Sequence, residues 1–183
     1  INATINHTAI NYKMIKNIAY ECRMPLCYGG GVQTVDEFTE IIGLGVEKVV
    51  ICTSAIENNN LVKDAAIAVG SQSVVICLDL KKSLKSDKYA LYTHSGKRRT
   101  DIDPIEFCKK ILQQGAGEIV LNFIDRDGTM KGYQQEFARK VKEIINIPLT
   151  VLGGAGSHDD ISSLFCDIGI VGAAAGSLFV FKG

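Results

Sequence analysis

Two glycine-rich turns carry the clearest chemical signal in this 183-residue chain. Pro25 leads into a short apolar run that exits through Gly29, Gly30 and Gly31, and Pro148 leads into another that exits through Gly153 and Gly154. Such exits let consecutive backbone N–H groups close on a phosphate. The two copies stay in register: Pro25 and Pro148, Gly30 and Gly153, Gly31 and Gly154, Asp36 and Asp159, and Ser54 and Ser177 are each 123 positions apart. One glycine turn is weak evidence. Two that remain aligned out to a downstream serine indicate a duplicated half-domain with two related anion sites, and hence a substrate phosphorylated at both ends.

Composition narrows the function classes. The chain has 20 basic and 20 acidic side chains and is 46% hydrophobic, as expected of one globular domain spanning 1–183. Charge neutrality argues against a nucleic-acid surface. No apolar run is long enough for a membrane span and no signal-peptide pattern is present, so the expected location is the cytoplasm. Cys22, Cys27, Cys52, Cys77, Cys108 and Cys166 form no CxxC pair and sit mostly in apolar runs, which predicts buried free thiols. His7, His94 and His158 form no ligand cluster with acidic residues, so no metal is expected, nor any organic cofactor. His94, followed by Ser95 and Gly96, reads as an exposed loop histidine.

The elements that must position these residues alternate between helix and strand. Helices are predicted over 11–22, 34–43, 60–69, 104–114, 135–145 and 158–165. Strands are predicted over 26–28, 46–53, 74–80, 119–123, 149–152 and 168–171, with a short β-prone stretch at 89–93. Thr34 with Glu37 forms a capping box. The polar stretch 81–88 reads as a mobile loop, and Lys97 to Arg99 as a solvated one.

Alternating elements with continuous apolar strands imply a parallel sheet covered by helices. The internal repeat favours a (β/α)8 barrel built from two halves over an open doubly wound sheet, which has a single switch point. About six full strands can be counted, where the barrel needs eight. The repeat offset puts the counterpart of strand 74–80 ahead of residue 1. The expectation is therefore an incomplete barrel, lacking a first strand and helix, part of the second strand and a last helix.

The segments Gly29-Gly30-Gly31-Val32-Gln33, Glu47-Lys48-Val49-Val50, Gly115-Ala116-Gly117-Glu118-Ile119, Asp125-Arg126-Asp127-Gly128-Thr129 and Gly153-Gly154-Ala155-Gly156-Ser157 together carry a family resemblance. Colinear over nearly the whole chain, they resemble the cyclase subunit of imidazole glycerol phosphate synthase. That family is a half-barrel duplication. It takes ammonia from a glutaminase subunit and closes an imidazole ring, forming imidazole glycerol phosphate and an aminoimidazole carboxamide ribotide in histidine biosynthesis.

The resemblance implies roles for particular residues. Asp79, near the end of strand 74–80, matches one of two catalytic aspartates, at the barrel mouth where acid–base chemistry is placed in this fold. On the residues alone, Asp79 could equally be a loop or capping aspartate paired with Lys81 or Lys82. The second aspartate belongs to the first strand, so the chain as it stands is expected to be inactive. Gly31 and Thr53 would hold one phosphate, and Asp127, Gly128, Gly154, Gly176 and Ser177 the other. Lys48 and Glu118 match charged residues that gate ammonia entry at the opposite end of the barrel.

Three positions depart from the family pattern. Cys52 stands where an Asn is common, Asn122 where a Thr is usual, and Leu152 where a Ser precedes the second glycine pair. Changing hydrogen-bonding groups around a polar substrate alters specificity. Two alternatives to the histidine cyclase follow: a paralogue that moves ammonia onto a sugar in surface-glycan synthesis, and a non-catalytic barrel that activates a glutaminase.

Overall fold

A computed structural model describes residues 9–83 and 88–181. His7 and residues 84–87 of the predicted 81–88 loop lie outside the described residues. The chain begins with helix α1 (Tyr12–Glu21), whose N-cap Asn11 accepts a hydrogen bond from the Met14 amide at 2.9 Å. Strand β1 (Cys27–Gly29) follows, then α2 (Val35–Gly43), β2 (Lys48–Ile51), α3 (Thr53–Glu57), α4 (Leu61–Val69) and β3 (Val74–Lys82). A hairpin of β4 (Tyr89–Thr93) and β5 (Arg98–Arg99) comes next. The chain then continues through α5 (Pro104–Gln113), β6 (Glu118–Phe123), α6 (Gln135–Ile144), β7 (Leu149–Leu152), α7 (His158–Ile168), β8 (Gly172–Ala174) and α8 (Ser177–Phe181).

Six strands form a parallel path in the order β1-β2-β3-β6-β7-β8, while β4 pairs antiparallel with β3 and carries β5. Strand, helix and neighbouring parallel strand recur along this path, the unit from which (β/α)8 barrels are built. Alternation along β6 shows how the sheet is used. Ile119, Leu121 and Phe123 are fully buried, whereas Glu118, Val120 and Asn122 are half-buried on the other face. The buried set joins Phe38, Ile41, Leu61, Ile76, Leu78, Ile111 and Leu149 in one core between sheet and helices. Each such side chain contributes roughly 1.5–3 kcal/mol. Tyr89 anchors the hairpin to this core, its ring 5.3 Å from Phe123 and 4.8 Å from Phe137.

The duplication is physical as well as textual. Thr34 caps α2 with Glu37 closing a capping box, and Ser157, 123 positions later, caps α7 with Asp160 in the same arrangement. Gly30 and Gly31 have φ of 128° and 78°, and Gly153 and Gly154 both have 103°. Both turns therefore occupy the region that favours glycine.

Several expectations change. Helix α7 runs on to Ile168 rather than ending at 165, and the strand after it is Gly172–Ala174 rather than 168–171. The left-handed Gly169, φ 83°, ends the helix first. The strand predicted over 46–53 is cut to Lys48–Ile51 because Thr53 starts a helix. Arg98 and Arg99 are exposed, yet they pair with β4 instead of forming a loop. All six cysteines are free, but Cys22, Cys27 and Cys166 are exposed, because they lie at element ends or face away from the core.

Candidate functional site

The parallel strands all end on one rim, and that rim holds the predicted catalytic and phosphate-binding residues. Gly29, Gly30 and Gly31 at the exit of β1, Cys52 and Thr53 beyond β2, Cys77 and Asp79 of β3, and His94 at the hairpin tip line a cavity of about 370 Å³. Gly31 and Thr53, predicted to share one phosphate, are thus together. Asp127, Gly128, Gly154, Gly176 and Ser177, predicted to share the other, line a smaller niche with Leu152 and Gly153 at the ends of β7 and β8. The two depressions share no lining residue. Between them in strand order stand β3 and β6, which carry Asp79 and Asn122.

Asp79 and Asn122 are register partners in the β3–β6 ladder, and Asn122 Nδ2 donates to Asp79 Oδ1 at 2.8 Å. The carboxyl is buried. Burial pushes its pKa up, and hydrogen bonds from Asn122, Cys52 and Cys77 pull it back in part. Asp79 is not a loop or capping aspartate: it lies in β3, which Lys81 and Lys82 continue, and the Lys82 backbone amide donates to Asp125 Oδ2. A desolvated carboxyl whose charged form is held by a few donors is suited to taking and returning a proton. Cys52 and Cys77 stay thiols beside it. Burial and the Asp79 charge push Cys52 up to about 12, and burial pushes Cys77 well up. Asn122 Oδ1 is buried without a hydrogen-bond partner among the described residues. Its amide therefore has an unused acceptor beside the carboxyl.

The second glycine turn is tightly built. A Cβ on Gly154 would collide with the carbonyl oxygen of Gly132, whose own amide donates to the Gly154 carbonyl at 2.8 Å. This closure holds the Asp127–Gly128 loop against the β7 exit. Tyr133 adds a second tie, donating its hydroxyl to the Ala174 carbonyl at 3.0 Å.

Lys48 and Glu118 are the first residues of β2 and β6, at the opposite end from Asp79. Lys48 Nζ lies 2.6 Å from Glu118 Oε2, and the other Glu118 oxygen accepts from Thr150 Oγ1 at 2.7 Å. Glu118 is 14% exposed against 39% for Lys48, so the carboxylate is the more buried member of the pair.

His94 keeps the expected loop setting, at the turn between β4 and β5, and lines the cavity as well. It is half-buried at the cavity edge, its amide donates to Thr53 Oγ1 at 2.9 Å, and its ring Nδ1 is 3.1 Å from Thr93 Oγ1. The signal that could have found it was its place at the tip between two β-prone stretches, since a hairpin leaving β3 must fold back over the rim. Among the described residues no group of three or more His, Cys, Asp or Glu side chains could hold a metal. No helix of the described residues is long and apolar enough to cross a membrane.

Comparison with known proteins matches residues 1–183 to the model of the histidine biosynthesis protein family. A relative from Vibrio vulnificus (strain YJ016), provisionally named imidazole glycerol phosphate synthase subunit hisF3, is 53% identical over 173 residues, 94% of this chain and 66% of the relative. One from Leptospira interrogans, provisionally named imidazole glycerol phosphate synthase subunit HisF, is 46% identical over 183 residues, 100% of this chain and 72% of the relative. The imidazole glycerol phosphate synthase subunit HisF of Petrotoga mobilis (strain DSM 10674 / SJ95) is 37% identical over 179 residues, 98% of this chain and 71% of the relative. The chain thus spans about two thirds of the length of these relatives.

Proposed function

This chain belongs to the histidine biosynthesis protein family, and from that membership we propose that it acts as the cyclase subunit of an imidazole glycerol phosphate synthase. In this reading a glutaminase subunit supplies ammonia and the substrate carries a phosphate at each end. The observation that carries it is the order of parts along the rim: glycine turn with Thr53, then Asp79 with Asn122, then glycine turn with Ser177. A substrate gripped at both ends has its reacting centre over Asp79.

Each part then has a task. Gly31 and Thr53 bind one phosphate, and Asp127, Gly128, Gly154, Gly176 and Ser177 bind the other, through backbone amides and short hydroxyls that can approach closely. Holding both ends lowers the entropic cost of ring closure. Asp79, its charge disfavoured by burial, takes a proton from the attacking nitrogen and returns it as the imidazole ring forms. Ammonia enters past Lys48 and Glu118 and travels up the concave face, which keeps it from water until it meets the substrate. The protein works as a lyase in a glutamine amidotransferase complex, in the cytoplasm, without a cofactor.

The experiment is ammonia-dependent conversion of the bis-phosphorylated ribotide by the complete gene product, together with rescue of a histidine auxotroph. Turnover and rescue support the cyclase. A second reading, an ammonia-transferring paralogue acting on a sugar, draws on Cys52 and Leu152, which present a thiol and an apolar side chain to the two depressions. Soluble protein that binds a glutaminase yet neither rescues nor turns over the ribotide favours that reading.

A further inference from the structure

The cavity beneath the first glycine turn has an electrostatic problem as a phosphate site. Its ionisable carboxyls are Glu57 and Asp79, and among its lining residues the one side chain able to carry positive charge is His94. The hairpin brings that side chain there by a specific tie, the His94 amide donating to Thr53 Oγ1 at 2.9 Å. Thr53 is thereby fixed with its own proton free to donate into the cavity. The His94 ring is oriented from the other side, with Nδ1 3.1 Å from Thr93 Oγ1. Nε2 has Glu57 Oε1 at 3.9 Å, which is beyond hydrogen-bond range. His94 and Ser95 hold φ of 53° and 57°, a conformation costly for residues other than glycine and kept where the surroundings enforce it.

We propose that His94 is a ligand-binding residue of this cavity: Nε2–H donates to the phosphate of a phosphomonoester whose other oxygens meet the Gly31 amide and the Thr53 hydroxyl. The β4–β5 hairpin is the strap that carries it, held to the rim by Thr53 and to the core by Tyr89. The ring brings a hydrogen-bond donor to a lining whose other ionisable oxygens belong to Glu57 and Asp79, and a bond to a charged phosphate oxygen is about twice as strong as a neutral one. The proposal rests on the reading that Gly31 and Thr53 receive a phosphate.

The test is titration of the ¹⁵N-labelled protein with inorganic phosphate, following the Gly31 and Gly154 amides and the His94 ring nitrogens, repeated with His94→Asn. Asn tolerates the left-handed backbone and keeps the amide that bonds Thr53. The expected result is that the Gly31 amide and His94 Nε2 shift together in the wild type, and that affinity at Gly31 falls roughly tenfold in His94→Asn while affinity at Gly154 does not. A Gly31 response with unmoved ring nitrogens, or with unchanged affinity in the variant, overturns the role of His94 and leaves the phosphate site standing. No response at Gly31 or Thr53 removes the phosphate site and the proposal with it.

Discussion

Asn122 and Asp79 meet across neighbouring strands at the same register, the amide nitrogen 2.8 Å from the carboxylate oxygen, while the amide's own oxygen lies buried without a donor among the described residues. Replacing Asp79 with Asn removes a desolvated charge and can also supply an N–H to that oxygen. Asp79→Asn should therefore stabilise the fold at neutral pH by on the order of 1 kcal/mol, read as a higher urea midpoint, while lowering ammonia-dependent turnover of the complete gene product roughly 10²- to 10⁴-fold. Substrate affinity should change only a few-fold. A variant both less stable and fully active would contradict the assignment.

The pH dependence of stability follows from the same carboxyl. Its folded pKa is raised by burial, so the folded state binds this proton more readily than the unfolded chain. Its contribution to stability is then lost as pH rises from the ordinary carboxylate range through the folded value, and stays level above it. The difference in stability between wild type and Asp79→Asn should widen in favour of the variant across that window. Denaturant midpoints at a series of pH values measure it.

Asn122→Leu removes a donor that favours the charged form of Asp79, leaving burial less opposed. The acidic limb of the pH profile of kcat/KM should move to higher pH, and stability should fall by about 1–3 kcal/mol above that limb, where the carboxylate loses its partner. Asn122→Thr, which can still donate, should shift the limb less. A limb that stays in place in both variants would separate Asn122 from the chemistry.

Lys48 and Glu118 form a partly exposed pair, so Lys48→Met should cost no more than about 1 kcal/mol. If the pair gates ammonia, glutamine-driven turnover should fall several-fold while turnover with added ammonium salt stays near wild type. Equal losses in the two assays would assign the pair to stability alone.

Gly154 and Gly176 line the same niche but differ in what surrounds them. A methyl group on Gly154, at φ 103°, meets the Gly132 carbonyl, whereas one on Gly176 meets nothing within 4 Å. Gly154→Ala should destabilise by roughly 1–3 kcal/mol and Gly176→Ala by less than about 0.5 kcal/mol, as thermal melts can distinguish.

Much of the fold was legible because its signals are local. Thr34 and Glu37 announce a capping box, and the two proline-to-glycine runs mark strands wherever they pack. Element limits were less legible where a neighbour decides them, as at Thr53, which could extend a strand or open a helix. The cysteines show the same limit. Apolar flanks predict burial, but Cys27 and Cys166 face away from the core, and periodicity over three or four residues could not place them.

From the sequence alone came the duplication, the barrel class and the two glycine turns, because these depend on residue type and spacing along one strand or turn; Asp79 was singled out only by the family resemblance. Tertiary structure alone decided that Asn122 donates to Asp79, that Lys48 reaches Glu118 over 70 positions, and that a hairpin brings His94 to Thr53. Those contacts join side chains from different strands. Their distances follow from sheet register and from where the chain folds back over the rim, which no local pattern encodes.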